Sequence, residues 1–186
     1  MEERITFPSD NLRLEGVWRP SSSDRAVVVT HPHPLYGGDM HNPVVTTIAD
    51  SFGAKGYATL RFNFRGTGAS EGGYDDGPGE RRDLVAALTW VRERTGAAAS
   101  VAGYSFGAWV AMGTASDGQL DDIPLYLVSP PVAFISFEEM APPAALKAVV
   151  AGTQDEFAPL GWVRALVDRW KAAHTLEVIE GCDHFY

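Results

Sequence analysis

Residues 100–107 read SVAGYSFG, a short apolar run that ends in the pattern Gly-x-Ser-x-Gly. The run favours a buried strand, and the residues from Phe106 to Ala115 have the spacing of a helix. A sharp turn between a strand and a helix brings neighbouring backbone close together, so a Cβ at Gly103 or Gly107 would collide. Such a strained turn presents the serine hydroxyl above the sheet. We therefore predict that Ser105 is a nucleophile, with the positive end of the following helix directed at it.

The segments on either side of this turn alternate between strands and helices. Two alternating runs, 4–7 and 12–18, predict an antiparallel hairpin. Helix-period segments separate continuous apolar runs that suit strands buried on both faces of a parallel sheet. The apolar runs are 26–29, 57–62, 100–104, 124–128, 147–151 and 176–179. The pattern predicts a single α/β domain over residues 1–186, a three-layer sandwich with a mostly parallel, eight-stranded sheet.

Composition excludes several classes of function. A net charge of −9 argues against nucleic-acid and anionic-membrane partners, because both recruit clustered Lys and Arg. Cys182 is the single cysteine, so no intramolecular disulfide can form. The charged N-terminus lacks the apolar core of a signal peptide, and no run of about 18 apolar residues predicts a membrane span. We expect a cytoplasmic protein.

An acid and a histidine follow two later strands. Asp155 ends the loop after the predicted strand 147–151, and His184 follows the last strand. Because the carboxyl ends of parallel strands meet at one edge of a sheet, both side chains are expected beside Ser105. The order Ser, Asp, His along the chain is the order of the α/β-hydrolase triad. We predict that His184 is the general base and that Asp155 orients it.

Three neighbouring residues compete for these roles. Glu156 adjoins Asp155 and is the alternative acid, although an acid there is more typical of a solvated loop. Asp183 is interpreted as a residue that helps its loop to turn. Cys182 is interpreted as a small buried side chain, since nothing in the sequence lowers the pKa of its thiol.

Residues 31–38 read HPHPLYGG and follow the strand that ends near Thr30. This position supplies the second backbone donor of an oxyanion hole, which acts together with the N–H after the nucleophile. Pro32 and Pro34 have no N–H to donate. We therefore predict Phe106 and Leu35 as the two donors, with His33 as the alternative to Leu35.

Two other ligand classes are weighed against this interpretation. His31, His33 and His41 could suggest a metal site, but no Cys or carboxylate lies at ligand spacing from them. The glycine-rich residues 65–70 lack the Gly-Lys-Ser/Thr ending of a phosphate loop and the third glycine of a dinucleotide fingerprint. We expect neither metal nor cofactor, and we interpret this second segment as a structural loop whose Arg65 anchors neighbouring carboxylates.

With these residues in hand, the chain resembles the α/β-hydrolase superfamily. It is most similar to the small bacterial hydrolases without a cap domain that are related to dienelactone hydrolases and prolyl-oligopeptidase-like esterases. The resemblance runs through residues 31–38, 63–68, 103–107, 152–155 and 183–184. It implies hydrolysis of carboxyl esters or related acyl compounds through an acyl-enzyme, without a cofactor. Dienelactone hydrolases use cysteine as nucleophile, so Ser105 argues against that particular activity.

The segment from Ser129 to Leu146 predicts an open site, because it is too short to fold as a separate cap domain. Its apolar residues Phe134, Ile135, Phe137 and Met140 lie between Pro130-Pro131 and Pro142-Pro143. They either complete the core or form a homodimer contact. The expected substrates are small esters with short acyl chains. The alternatives are a catalytically silent binding protein of the same fold and an acyltransferase that uses the same triad.

Overall fold

The computed structural model describes residues 1–96, 98–141, 144–170 and 175–186. Their eight strands form one sheet: β1 (Glu3–Ser9), β2 (Leu12–Arg19), β3 (Arg25–Thr30), β4 (Ala58–Phe62), β5 (Ala98–Tyr104), β6 (Leu125–Val128), β7 (Leu146–Gly152) and β8 (Thr175–Ile179). The order across the sheet is β1-β2-β4-β3-β5-β6-β7-β8. Strands β1 and β2 form an antiparallel hairpin that pairs antiparallel with β4, and all other neighbours are parallel.

Four helices cover the two faces of this sheet: α1 (Pro43–Ala54), α2 (Pro78–Thr95), α3 (Phe106–Ser116) and α4 (Leu160–Trp170). The central strand β3 shows how the layers form, because side chains alternate between faces along a strand. Val28 packs into the larger core with residues of α2, α3 and α4. Val27 and Val29 pack with residues of α1 in a second core. The expected three-layer α/β architecture is confirmed, and every predicted strand agrees with the observed one to within two residues.

A buried ion pair anchors the loop after β4. Arg65 donates to both carboxylate oxygens of Asp83 on α2, with the shortest distance 2.7 Å, and also contacts Asp10 in the hairpin turn at 3.1 Å. Asp83 is fully buried and also accepts from the Ser9 hydroxyl at 2.7 Å. Removing one partner of such a pair leaves an uncompensated buried charge. The prediction that Arg65 anchors carboxylates in a structural loop is therefore confirmed.

Among the residues that the structure describes, no separate cap covers the carboxyl edge of the sheet. The segment after β6 crosses this edge as turns, and Phe137 enters the larger core while Phe134 stays about half exposed. Pro142 and Pro143, which flank the apolar residues of this segment in the sequence, lie outside the described residues. Across the described ranges, no helix is long and apolar enough to cross a membrane.

Candidate active site

The turn at Ser105 is a strained junction between β5 and α3. Ser105 has φ 54° and ψ −119°, in a region of backbone conformation that L-residues rarely adopt. A Cβ added at Gly103 would lie 2.5 Å from the Gly107 carbonyl oxygen, and one added at Gly107 would lie 2.7 Å from the carbonyl oxygen of Thr30. The steric argument for both glycines is therefore borne out by the backbone itself. Ser105 is nearly buried, and its hydroxyl is held at the carboxyl edge of the sheet.

The structure brings Ser105, His184 and Asp155 together in one hydrogen-bonded chain. Ser105 Oγ lies 2.8 Å from His184 Nε2, and His184 Nδ1 lies 2.9 Å from both carboxylate oxygens of Asp155. A carboxylate can only accept, so Nδ1 carries the proton and Nε2 is free to accept the proton of the serine. All three residues are less than a tenth exposed. The geometry has the elements that nucleophilic catalysis requires: nucleophile, base and orienting acid.

The Asp155 carboxylate is held from several directions. Its Oδ1 accepts from the backbone N–H of Phe157 at 2.9 Å and of Ala158 at 2.8 Å. Burial raises the pKa of Asp155, but hydrogen bonds from His184, Ser129 and the Ala158 N–H outweigh it, so this pKa lies below its ordinary value. The carboxylate therefore stays charged beside the histidine over the range in which imidazole titrates.

The competing residues lie elsewhere. Glu156 is exposed, in contrast to the buried Asp155 next to it. Asp183 Oδ1 accepts from the Phe185 N–H at 2.8 Å, as expected for a residue that shapes its loop. Cys182 is a free thiol of intermediate exposure, so the prediction of a buried side chain was wrong. The Cys182 carbonyl accepts from the Gln154 N–H at 2.9 Å, which joins the loop of the histidine to the loop of the acid.

His31 anchors the segment that follows β3 and lines the same cavity as Ser105. Its ring is fully buried, with Nδ1 2.7 Å from the Pro32 carbonyl oxygen and Nε2 accepting from the Phe64 N–H at 3.0 Å. Burial lowers the pKa of His31 to about 4, so the neutral ring donates from Nδ1 and accepts at Nε2. Within this segment, Pro34–Tyr36 form a short 3₁₀ helix. No three metal-ligating side chains converge within the described ranges.

The two candidates for the second oxyanion donor differ in their surroundings. The Leu35 N–H donates to His33 Nδ1 at 3.3 Å, and the Leu35 side chain is 68% exposed. Leu35 is also absent from the residues that line the cavity beside Ser105, whereas His33 is among them. The described residues offer the His33 N–H no acceptor. Phe106 begins α3, so its N–H has no acceptor within the helix and lies next to Ser105.

An apolar cavity of about 290 Å³ adjoins the serine. Its walls are mostly aromatic, and Phe134 links the two sides, with ring centroids 5.7 Å from Tyr36 and 6.2 Å from Phe157. Among the described residues, those lining the cavity include no Asp, Glu, Lys or Arg: Pro32, His33, Tyr36, Gly37, Gly38, Asn42, Tyr104, Ser105, Phe106, Pro131, Phe134, Ile135, Phe157, His184 and Phe185. The cavity suits an uncharged, apolar group.

Comparison with known proteins identifies the family of the chain. Residues 10–134 match the model of the X-Pro dipeptidyl-peptidase (S15) family. The chain belongs to this family. It is also 36% identical to the uncharacterized protein RP471 of Rickettsia prowazekii (strain Madrid E), over 98% of this chain and 82% of that protein.

Two solved structures place the S15-family chain among the α/β serine hydrolases. An α/β serine hydrolase homologue from Coxiella burnetii is 36% identical with a TM-score of 0.90, over 98% of this chain and 89% of that one. XC6422 from Xanthomonas campestris, described as a member of the α/β serine hydrolases without a lid, is 30% identical with a TM-score of 0.90, over 100% of this chain and 86% of that one. The expected membership of the α/β-hydrolase superfamily is confirmed.

Proposed function

We propose that the chain is a carboxylesterase that hydrolyses small, uncharged esters through an acyl-enzyme. The observation that carries this proposal is the unbroken chain of hydrogen bonds from Ser105 through His184 to Asp155, which opens onto an apolar cavity. The charged Asp155 carboxylate accepts from His184 Nδ1, so Nε2 is left to accept the hydroxyl proton of Ser105.

In the first half of the reaction, His184 Nε2 takes the hydroxyl proton as Ser105 Oγ attacks the ester carbonyl carbon. The resulting imidazolium is stabilised by Asp155 and then gives its proton to the leaving alcohol, which departs as the carbonyl re-forms on the serine. In the second half, His184 removes a proton from water, the hydroxide attacks the acyl carbon, and Ser105 recovers its proton as the acid is released.

Two backbone donors stabilise the negative oxygen of each tetrahedral intermediate. We assign them to the N–H groups of Phe106 and His33. Phe106 is the predicted donor, and His33 takes the place first given to Leu35. Leu35 already donates its N–H to a ring nitrogen, so using it would require breaking that bond. An N–H that has no partner in the resting protein can donate to the negatively charged oxygen without first breaking another hydrogen bond.

The uncharged cavity favours esters over X-Pro dipeptides at a free N-terminus, which the family description names. An enzyme that removes a dipeptide from a free N-terminus must bind a protonated amine, and a buried charge needs a partner of opposite sign. None of the described residues that line the cavity is a carboxylate. The absence of a cap domain and the modest cavity volume support short acyl groups.

The proposal is tested with a fluorophosphonate probe and p-nitrophenyl acetate. The wild-type protein should be labelled and active, Ser105→Ala should lose both properties, and the exposed Ser51→Ala on α1 should keep them. A Ser105→Ala variant that keeps more than about a hundredth of the wild-type kcat would refute the assignment, because loss of the nucleophile costs far more. A wild-type protein that is neither labelled nor active would instead support a silent binding protein.

Two further measurements complete this test. Activity should rise as the pH increases from the acid side, because His184 must be neutral to accept a proton. Adding ethanol to the assay separates hydrolysis from acyl transfer: a hydrolase should release mainly acetate, whereas an acyltransferase should form mainly ethyl acetate. A flat pH profile would exclude a histidine base.

A further inference from the structure

Tyr104 contacts His184 from the position directly before Ser105 in the chain. The Tyr104 hydroxyl donates to the His184 backbone carbonyl at 2.8 Å, and the centroids of the two rings lie 5.5 Å apart. The Ser105 hydroxyl lies 2.8 Å from His184 Nε2. Two adjacent residues therefore contact the same histidine at its two ends, one at the imidazole and one at the main chain.

Tyr104 itself is held firmly in place. It is the last residue of β5, it pairs with Val128 on β6, and it is fully buried. Its side chain packs in the second core with Val27 and Val29 of β3. A tyrosine side chain has only two rotatable angles, so little conformational entropy is lost when its hydroxyl is fixed. The hydroxyl is therefore a rigid point of attachment for the histidine.

The hydroxyl of Tyr104 is the donor in this contact, because a carbonyl oxygen has no proton to give. Burial raises the pKa of Tyr104, so the hydroxyl stays protonated and keeps donating across the pH range of an esterase assay. The contact is buried, so water has little access to replace it. A variant without the hydroxyl therefore leaves the His184 carbonyl without this bond.

The loop that carries His184 is also tied to the loop after β7, which carries Asp155. Two hydrogen bonds of 2.9 Å make that connection: Gly181 N–H to Thr153 Oγ1, and Gln154 N–H to the Cys182 carbonyl. These bonds fix the histidine loop relative to the acid. The Tyr104 hydroxyl fixes it relative to β5, which leads directly into Ser105, and does so at the histidine itself.

We propose that Tyr104 is a positioning residue that fixes the backbone of His184 and so keeps Nε2 at hydrogen-bonding distance from the Ser105 hydroxyl. This inference rests on the proposed function and adds a residue whose hydroxyl acts only through His184. Asp155 sets the rotation of the imidazole, whereas Tyr104 sets the place of the backbone from which it extends. The separation of 2.8 Å between Oγ and Nε2 is near the optimum for a hydrogen bond, so a displaced backbone impairs proton transfer.

The test uses Tyr104→Phe, which deletes the hydroxyl and keeps the ring in the core. We expect kcat on p-nitrophenyl acetate to fall about tenfold, which corresponds to about 1.4 kcal/mol, the size of one hydrogen bond. KM should stay unchanged, because the histidine acts in the chemical step. Fluorophosphonate labelling of Ser105 should slow by a similar factor. Tyr126→Phe makes the same chemical change elsewhere in the second core and should keep wild-type kinetics.

A second control tests whether a general loss of stability explains the result. Thr114 on α3 is buried, about two and a half helical turns beyond Ser105, and its hydroxyl donates to the Val110 carbonyl at 2.8 Å. Thr114→Val therefore deletes one buried hydroxyl-to-carbonyl bond, as Tyr104→Phe does, and should lower Tm by a similar amount. Its kcat should match that of the wild type. An equal fall in kcat in the two variants would overturn the inference.

A measurement without substrate separates this inference from the proposed function. The proton on His184 Nδ1 lies between the ring and the Asp155 carboxylate, and its downfield NMR resonance reports that bond. A displaced backbone changes the bond, so we expect Tyr104→Phe to shift or broaden the resonance and Thr114→Val to leave it unchanged.

The outcomes of these measurements are distinct. In an active enzyme, a resonance or a kcat in folded Tyr104→Phe that matches the wild type would overturn the inference. An inactive wild type whose resonance responds to Tyr104→Phe would overturn only the proposed esterase activity. An inactive wild type whose resonance does not respond would overturn both.

Discussion

Replacing His33 by proline deletes a single backbone N–H, the group assigned as the second oxyanion donor. His33 has φ −59°, close to the value of about −65° that the proline ring imposes, so the substitution fits the existing backbone angle. Proline also removes the imidazole, whose Nδ1 accepts from the Leu35 N–H and whose Nε2 lies 3.2 Å from the Tyr74 hydroxyl. His33→Ala removes the same ring and keeps the N–H, which makes it the matched control.

The ratio of kcat between the two variants measures the contribution of the His33 N–H. Loss of one oxyanion-hole donor costs about 10²–10³ in kcat, or about 3–4 kcal/mol of transition-state stabilisation. We therefore expect kcat on p-nitrophenyl acetate to be about a hundredfold or more lower in His33→Pro than in His33→Ala. KM should be similar in both, because the donor binds the transition state more strongly than the ester carbonyl.

Fluorophosphonate labelling and thermal melting complete the comparison. Labelling should also slow in His33→Pro, since the probe forms a tetrahedral adduct with a similar negative oxygen. A Tm close to that of His33→Ala shows that the loop has kept its structure. Equal kcat in the two folded variants would refute the assignment. The donor would then be Leu35, whose N–H loses its ring acceptor in both variants.

Three further expectations follow from the structure. Across p-nitrophenyl esters from acetate to palmitate, kcat/KM should peak at short chains, because each methylene that the cavity cannot bury forfeits about 0.8 kcal/mol; a steady rise towards palmitate would contradict the open, small cavity. Gly103→Ala should lower the free energy of unfolding in urea by about 1–3 kcal/mol, since the new Cβ meets the Gly107 carbonyl oxygen at 2.5 Å and the Ala108 Cα at 2.7 Å; an unchanged midpoint would show that the turn can relax. Burial lowers the pKa of His31 to about 4, below the unfolded value, so the neutral ring contributes about 3 kcal/mol that is fully present above pH 6.5 and lost as the pH falls towards 4. The free energy of unfolding in urea should depend less on pH in His31→Asn than in the wild type over this window. If it changes equally with pH in both proteins, groups other than His31 cause the dependence.

The sequence alone predicted the architecture and the three catalytic candidates. Apolar runs bounded by turn residues gave the strands, because burial on both faces leaves a continuous apolar signal. The spacing Gly-x-Ser-x-Gly has a steric cause within five residues, so it identified the turn at Ser105 without tertiary information. Asp155 and His184 followed from topology, since parallel strands deliver their carboxyl ends to one edge of the sheet.

Other features depended on contacts that are distant in sequence. The preference for Leu35 as a donor came from excluding prolines. No local pattern indicated that the His33 ring accepts the Leu35 N–H at the start of a short 3₁₀ helix. That bond depends on the path of the loop, which is held in place by the hydrogen bond from the Phe64 N–H, in the loop after β4, to buried His31.

Ser129 shows the same limit most clearly. It is one serine before two prolines in the sequence, and no local pattern distinguishes it from an ordinary loop residue. Its buried position and the 2.8 Å contact of its hydroxyl with that of Tyr186 arise only when β6 and β7 lie side by side and the last loop folds back onto this edge. Periodicity and sterics act over a few residues and can be recognised in a sequence, whereas the direction of a buried hydrogen bond is decided by three-dimensional packing.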